Sequence, residues 1–354
     1  MIFPSFFAVF FIANVYSSII KDDDNINWES IIEKVNKADT TWIAGRKFHP
    51  EFNKKAFKRL LGAKFDQPYT GPVKTLDDFK ERVNIPDEFD SRKKWPYCKS
   101  IGHIRDQSYC GSCWAFATTS ALTDRFCIAT RGKYKPTLSS EDLLSCCNEC
   151  GFGCEGGYMW KAWNYFVTTG VVTGGDYDSH EGCKPYSLKA CEHHTNGSRP
   201  SCQYYGDLVT PSCHQRCTNS KHINSFQKDH HKVKSIYLLN STEAIQREIM
   251  ENGPVEAGFV TYEDFVTYTS GIYQHVSGEM HGGHAVKIIG WGSENGVPYW
   301  LIANSWNDDW GENGYFRMLR GSNECEIESG VMAGIPKVEK NYVRPQKSHR
   351  KDYH

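Results

Sequence analysis

An apolar run opens the chain, MIFPSFFAVFFIANVYS, ends in small residues near Ser17 and gives way to charge at Lys21-Asp22-Asp23-Asp24. Beyond it, apolar residues recur at helical spacing in two charged stretches. Trp28, Ile31, Ile32 and Val35 fall on one face of NWESIIEKVNKADTTW. Phe52, Phe57, Leu60 and Leu61 do the same in EFNKKAFKRLLG, so the pattern predicts two amphipathic helices, the second stopping at Gly62. From Ile85 the character changes, and IPDEFDSRKKWPYC is held extended by its prolines. Residues 112–128 predict a helix of small and apolar residues around Phe116, Ser120 and Phe126. TEAIQREIMENGP predicts another, with Ile245 and Ile249 four apart and Asn252-Gly253-Pro254 as its stop. Strand-like runs follow (VEAGFV, HAVKIIGW, PYWLIANSW and GYFRML), with glycines between them for turns. Helices first and strands later favour an α+β molecule of two lobes, one helical and one sheet-based, over an alternating α/β fold. The cleft between two such lobes is the expected place for an active site.

Composition adds a compartment. All fourteen cysteines lie at or after Cys98, and nine fall between Cys146 and Cys217, a density that means loops held by bridges. The N-terminal run fits a secretory signal peptide over residues 1–17. An uncleaved anchor helix is the alternative, but the run is shorter than the ~20 residues a span needs, and no later segment is apolar enough to span. An oxidising compartment follows, in which the cysteines are disulfide candidates. Asn196-Gly197-Ser198 and Asn240-Ser241-Thr242 are sequons that suit this route, with Asn196 and Asn240 as glycosylation candidates. The cysteine-free stretch 18–84 reads as a propeptide, or else as a small N-terminal domain. The tail 337–354, with six Lys/Arg against two Asp/Glu, reads as a solvated basic extension, with removal or binding to an anionic partner as alternatives. A net charge of −1 gives no electrostatic reason to expect nucleic acid.

The chemistry gathers in RDQSYCGSCWAF. Cys110 and Cys113 form a C-x-x-C that permits a redox pair, half a zinc site, or a bridge cysteine beside a nucleophile. A redox pair lacks its βαβ context, and zinc ligation is disfavoured in an oxidising compartment. Cys113 would sit at a helix N-terminus, where partial positive charge favours thiolate. A thiolate nucleophile needs an imidazole, and His284 in HGGHAVKIIGWG is the candidate, with Gly282-Gly283 allowing close approach of a substrate backbone. Asn304 in YWLIANSWNDDWG can accept the imidazole N–H, and Trp306 can shield that bond. Gln107 and the backbone N–H of Cys113 would supply an oxyanion hole.

Together QSYCGSCWAF, CEGGY, GGHAVKIIGWG and YWLIANSWNDDWGENGYF resemble the papain-like cysteine peptidases, in the right order and over Ile85 to about Pro336. The resemblance implies a papain-like two-lobed fold, with a helical left lobe, a β-barrel-like right lobe and no cofactor or metal. It makes Cys113 the nucleophile, His284 the base, Asn304 the orienter and Gln107 the oxyanion donor. Gly156, Gly157, Gly283, Trp306 and Gly330 would bind substrate. TTWIAGRKFHP and CEHHTNGSRPSC resemble the propeptide and occluding loop of the cathepsin B-like branch, so the implied product is a zymogen whose mature chain starts near Ile85. Matching positions imply the bridges Cys98–Cys127, Cys110–Cys154, Cys146–Cys213, Cys147–Cys150, Cys183–Cys217 and Cys191–Cys202. Cys113 stays free and Cys325 is left over as a buried thiol. Protein and peptide substrates, the chain's own propeptide and cystatin-like inhibitors are the implied partners, and a lysosome-like compartment or secretion the implied destination. A catalytically silent homologue and a zinc or thiol–disulfide protein are the rival readings.

The loop, about residues 187–208, is expected to cover one end of the cleft. Protonated His193 and His194 would receive a substrate's C-terminal carboxylate, giving a peptidyl-dipeptidase alongside endopeptidase activity. Pairs His193–Asp106 and Arg199–Asp309 would latch it, each contributing about 0–1 kcal/mol if exposed and more if buried. The propeptide is expected to compete with the loop for space. Where the family often carries an acidic residue in the S2 pocket this chain has Gly330, which predicts a preference for apolar P2 residues unless Glu326 or Glu328 compensates. Tyr109 is expected to alter the cleft rim.

Overall fold

The computed structural model describes residues 26–47, 52–79, 83–193, 197–206 and 208–339. The predicted signal peptide, His194, Asn196 and nearly all of the basic tail lie outside the described residues.

The helices are α1 (Trp28–Lys37), α2 (Lys54–Leu60), α3 (Ser91–Lys94), α4 (Cys113–Ala129), α5 (Ser140–Cys146), α6 (Met159–Thr168), α7 (Thr242–Asn252) and α8 (Glu263–Val266). The strands are β1 (Trp42–Ala44), β2 (Val73–Lys74), β3 (Phe89–Asp90), β4 (Val233–Leu239), β5 (Val255–Tyr262), β6 (Tyr268–Tyr273), β7 (Met280–Glu294), β8 (Val297–Ala303), β9 (Tyr315–Leu319) and β10 (Val331–Pro336). Each predicted helix and strand is present, but IPDEFDSRKKWPYC, expected to be extended throughout, contains the short helix α3, which Asp90 caps by accepting from Arg92 N at 2.8 Å. Asparagines start the first two helices: the side chain of Asn27 accepts from Ser30 N at 3.0 Å, and that of Asn53 from Ala56 N at 2.9 Å. Ser241 caps α7 in the same way, and Gly253 ends it with a φ of 97°. The second helix stops earlier than its apolar pattern, at Leu60, because Leu61 turns extended and Gly62 leaves the helix for the cleft.

The two largest of three cores among the described residues define two lobes, and the third, with Trp95, Ile101, Ile128 and Ile289, joins the end of α4 to the sheet. Of the two, one gathers around α4 and α6 with Trp114, Phe116, Leu122, Trp163 and Phe166. The other lies on the sheet, whose strands follow one open path, β1-β6-β9-β8-β7-β5-β10-β4-β2, with β3 paired to β7. Both ends of that path, β1 and β2, come from the segment before Ile85. The same segment supplies Trp28, Ile31, Val35, Trp42, Phe52, Phe57, Leu60 and Phe79 to the sheet core. Its apolar face is therefore spent on the sheet lobe rather than on a core of its own.

Helix α4 is buried almost all round, which explains its lack of an amphipathic pattern. It meets the sheet through polar contacts. Glu256 on β5, fully buried, accepts from the Thr118 hydroxyl of α4 at 2.8 Å and from Trp163 Nε1 of α6 at 2.7 Å. Lys287 of β7 pairs with Asp124 of α4 at 2.7 Å, and Arg125 of α4 with Glu248 of α7 at 2.8 Å. These ties fix the helix that carries Cys113 against the strand that carries His284.

All six bridges implied by the resemblance are formed, and Cys113 and Cys325 are the two free cysteines. Cys325 is only half-buried, not enclosed as expected, because it sits in a tight turn at φ 48° next to Glu326 at φ 65°.

Candidate active site

Cys113 is the first residue of α4 and fully buried. Its Sγ accepts a hydrogen bond from the backbone N–H of Gly62 at 3.2 Å. The helix N-terminus was expected to favour thiolate, yet burial raises this thiol to about 11, outweighing the N–H groups of Ala285, Gly62 and Trp114 that lower it. His284 is drawn to its place by antiparallel pairing of β7 with β5, opposite Phe259, while β8 ends at Ala303 and hands Asn304 to the same spot. His284 Nε2 lies 2.7 Å from Asn304 Oδ1, and Trp306 stacks on the ring with centroids 4.5 Å apart. Burial depresses His284 to about 4, with the Asn304 contact acting the other way. Thiol and imidazole are thus both neutral under their cover.

The cover is the chain itself. Gly62 O accepts from Gly157 N at 2.8 Å, Ala63 N donates to Gly283 O at 3.0 Å, and Lys64 N donates to Gly157 O at 3.0 Å. A Cβ on Gly283 would stand 2.3 Å from Ala63 O, so this glycine permits a backbone to lie flat here, whereas one on Gly157 would meet the Trp114 ring beneath it at 2.7 Å. Gly62 is equally constrained: its Cβ would meet Gly111 O at 1.8 Å. Gly156, at φ 104°, turns the chain into this contact. Gln107 Nε2 donates to Leu60 O at 2.9 Å and Cys110 O at 2.8 Å. A carbonyl of the segment before Ile85 therefore occupies the predicted oxyanion donor.

Sequence reasoning missed what holds Gln107. Ser305 Oγ donates to Gln107 Oε1 at 2.8 Å, and Ser305 N donates to Asn304 Oδ1 at 2.8 Å, so one residue fixes both amides. Tyr186 OH donates to Gln107 O at 2.8 Å. Glu256 was also missed, although a lone acid inside the apolar run VEAGFV was a signal for it.

A cavity of about 290 Å³ adjoins the plug and is lined by Phe65, Met159, Gly258, Glu326, Gly330 and Met332, among others. Gly330 does border it, with nothing nearer its missing Cβ than Met159 Cε at 3.9 Å. Of the two acids expected to compensate, Glu326 lines the cavity. Glu328 is spent elsewhere, accepting from Trp300 Nε1 at 2.8 Å, Gly321 N at 2.7 Å and Asn323 N at 3.0 Å.

Both latch pairs are formed. His193 Nε2 lies 2.8 Å from Asp106 Oδ1, and Arg199 Nη1 lies 3.2 Å from Asp309 Oδ2, with Glu192 and Asp308 also within reach of Arg199. His193 is buried, with Nδ1 3.2 Å from the bridged Cys202 Sγ, so in this form it faces Asp106 rather than a substrate carboxylate. Cys191 and Cys202 are bonded to each other, which removes the thiolates a metal would need beside His193. The expected competition between propeptide and loop is not seen. Phe52 and Ala56 pack with Tyr109, Cys191 and Cys202 in one core, so the propeptide helix rests on a closed loop. Tyr109 is buried in that contact rather than standing at the rim.

This arrangement, a plugged thiol–imidazole–amide site between a helical and a sheet lobe, defines a class. Residues 85–335 match the model of the papain family cysteine proteases and residues 29–67 that of the peptidase family C1 propeptide, and the chain belongs to this family. It is a cathepsin B-like cysteine peptidase made as a zymogen with its propeptide. It is 48% identical over 317 residues to cathepsin B-like cysteine proteinase 4 of Caenorhabditis elegans, covering 88% of this chain and 92% of that one. A cathepsin B-like cysteine proteinase of Schistosoma japonicum is 54% identical over 266 residues, covering 75% of this chain and 77% of that one. The solved structure of procathepsin B S9 from Trypanosoma congolense superposes with a TM-score of 0.76 at 36% identity, covering 88% of this chain and 98% of that one. Among the described residues no helix is long and apolar enough to cross a membrane.

Proposed function

We propose that Cys113, His284, Asn304 and Gln107 carry out peptide-bond hydrolysis through an acyl-enzyme. With the plug gone, water and substrate reach Cys113 and His284, and the thiol proton passes to the imidazole. The thiolate attacks the scissile carbonyl carbon, and Gln107 Nε2 with the Cys113 N–H holds the resulting oxyanion. His284 returns the proton to the leaving amine, and a water molecule then cleaves the thioester, giving up its proton to His284. Asn304 keeps the ring oriented and Trp306 keeps water from that bond. Gly156, Gly157 and Gly283 align the substrate backbone, and the cavity with Gly330 takes the P2 side chain. The observation that carries this reading is a peptide carbonyl on Gln107 with a peptide N–H on Cys113 Sγ.

The proposed organisation is a signal peptide over 1–17, an inhibitory propeptide over 18–84, a peptidase over 85–336 and a basic tail over 337–354. Once activated, the enzyme acts as a peptidyl-dipeptidase when the loop is closed and as an endopeptidase when it lifts. Proposed partners are protein and peptide substrates and cystatin-like inhibitors, in the secretory pathway, a lysosome-like compartment or outside the cell. The test is labelling of acid-activated protein with an epoxide thiol inhibitor. Stoichiometric adduct at Cys113 with loss of peptidase activity is expected; activity that survives full labelling would overturn the assignment.

A further inference from the structure

The two ends of the Asn304 amide are held unequally. Its Oδ1 accepts from His284 Nε2 at 2.7 Å and from Ser305 N at 2.8 Å. A backbone N–H can only donate, so Oδ1 must be the atom that faces Ser305, and Nδ2 is left at the other end. Asn304 is buried, and its Nδ2 has no acceptor among the described residues. The same residue lies on the wall of a cavity of about 10 Å³ between α4, β7 and the end of β8, with Phe116, Ala117, Ser120, Ala285 and Ala303 among the other lining residues. That is room for a single water molecule. Most polar side chains on this wall are committed. Arg105 and His103 pair with Asp176 at 2.7 and 2.5 Å, Lys287 pairs with Asp124 at 2.7 Å, and Ser305 Oγ donates to Gln107 Oε1 at 2.8 Å. Among the described residues this leaves Asn304 Nδ2 and the Ser120 hydroxyl. Ser120, His103 and Arg105 also line a groove of about 450 Å³ further along α4, together with Ser100, Thr123 and Thr137, so the cavity adjoins a wide polar surface. All of the lining residues fall within the peptidase match, residues 85–335, so departure of the plug removes none of them.

We infer that the cavity is a water-binding site: one water accepts from Asn304 Nδ2 and donates to Ser120 Oγ, which makes Ser120 a positioning residue for the amide that orients His284. An amide N–H buried without a partner bears the full cost of its desolvation, and a bridging water relieves it. The adjoining groove is the route by which that water enters. The contact bears on the reaction. Were the amide to turn over, Nδ2 would face His284 Nε2 and make that nitrogen an acceptor. The imidazole proton would then sit on Nδ1, the nitrogen that must take the proton of Cys113. Ser305 N at one end and the water at the other hold the amide against this turn. The water meets Nδ2 and leaves untouched the His284–Asn304 bond, which lies under the stacked ring of Trp306.

This inference rests on the roles proposed for Cys113, His284 and Asn304, and the experiment separates the two. Activated enzyme, isotopically labelled for NMR, is blocked with the epoxide inhibitor, and the Asn304 side-chain amide is identified as the signal missing from Asn304→Asp. That amide is expected to show a cross-peak to a long-lived water, which Ala117→Val abolishes by filling the cavity. In unblocked enzyme, Ser120→Ala should lower kcat about 3- to 10-fold at an unchanged KM, as an amide held less firmly leaves the imidazole less well aimed, and Ser120→Thr should restore the rate. Absence of the cross-peak from the parent enzyme, or a parent-like kcat in Ser120→Ala whatever its melting temperature, would overturn the inference. Should Ala117→Val fail to fold, the parent spectrum and the Ser120 pair still decide the matter. The parent and both Ser120 variants should label stoichiometrically at Cys113; a parent that does not label would instead overturn the assignment of Cys113.

Discussion

Single residues decide two properties of the activated enzyme. Burial without a cationic partner pushes Glu256 up to about 8, the hydrogen bonds from Thr118 and Trp163 acting against it. A carboxyl whose native value is raised above its unfolded 4.5 gives stability that is complete below pH 4.5 and is lost as pH rises toward 8. Glu256→Gln removes that penalty, since the Thr118 hydroxyl can reverse to accept from an amide. The variant is expected to melt several degrees above the parent at pH 7, a gain on the order of 3 kcal/mol at most, and about level with it at pH 4. Calorimetry at the two pH values checks this. Glu326 decides the other property. It is exposed at the mouth of an apolar cavity floored by Met159 and Met332, so it can meet a cationic P2 group without closing the pocket to apolar ones. Paired kinetics should show Glu326→Gln lowering kcat/KM for an Arg-Arg substrate about 3- to 10-fold, in line with one partly screened charge pair, and leaving Phe-Arg nearly unchanged. At this scale the four residues proposed to be catalytic could be picked out because each lies in a dense local motif. Ser305 and Glu256 were less so, since their importance comes from partners 198 and 138 positions away.

Among elements, the plug and the loop matter most. His284 sits near 4 under the plug, against an ordinary 6.5, so the plugged form binds fewer protons than the open form between those values. The part of the plug's hold that depends on His284 is therefore complete above pH 6.5 and weakens as pH falls toward 4, by at most about tenfold per unit. Propeptide added in trans to the activated enzyme should show an inhibition constant that rises over that range; a constant that is flat with pH would refute the account. The described residues of the proposed occluding loop form a surface on which α2 rests. His193→Ala together with Arg199→Ala should lower dipeptide release and raise internal cleavage. The same pair should weaken propeptide inhibition severalfold, because Phe52 and Ala56 lose the packed face of Cys202 and Tyr109. Tighter inhibition would show that the loop and propeptide compete after all. Two cysteines around paired histidines left several readings open, and the loop, like its latch partners, was named only through the family resemblance. That α2 lies on the closed loop could not be read, because the apolar face of EFNKKAFKRLLG does not say which surface it meets.

For the molecule as a whole, the order of helices and strands was enough to predict two lobes, and the cysteine pairings followed from the resemblance. What escaped sequence reading is how the segment before Ile85 is distributed: α1 and β1 against the far end of the sheet, a plug through the cleft and β2 at the near end. Helical periodicity marks α1 and α2, but two- and three-residue strands such as β2 and β1 carry no period to detect. The sheet of the zymogen has both outer edges covered by residues that maturation removes wholly or in part. Loss of β1 leaves the backbone of Tyr268–Gly271 unpaired, and unpaired strand edges invite pairing with other chains. Activation therefore changes colloidal behaviour as well as catalysis: the zymogen should remain monodisperse at concentrations where the mature enzyme begins to self-associate, a difference that light scattering on epoxide-blocked protein would reveal.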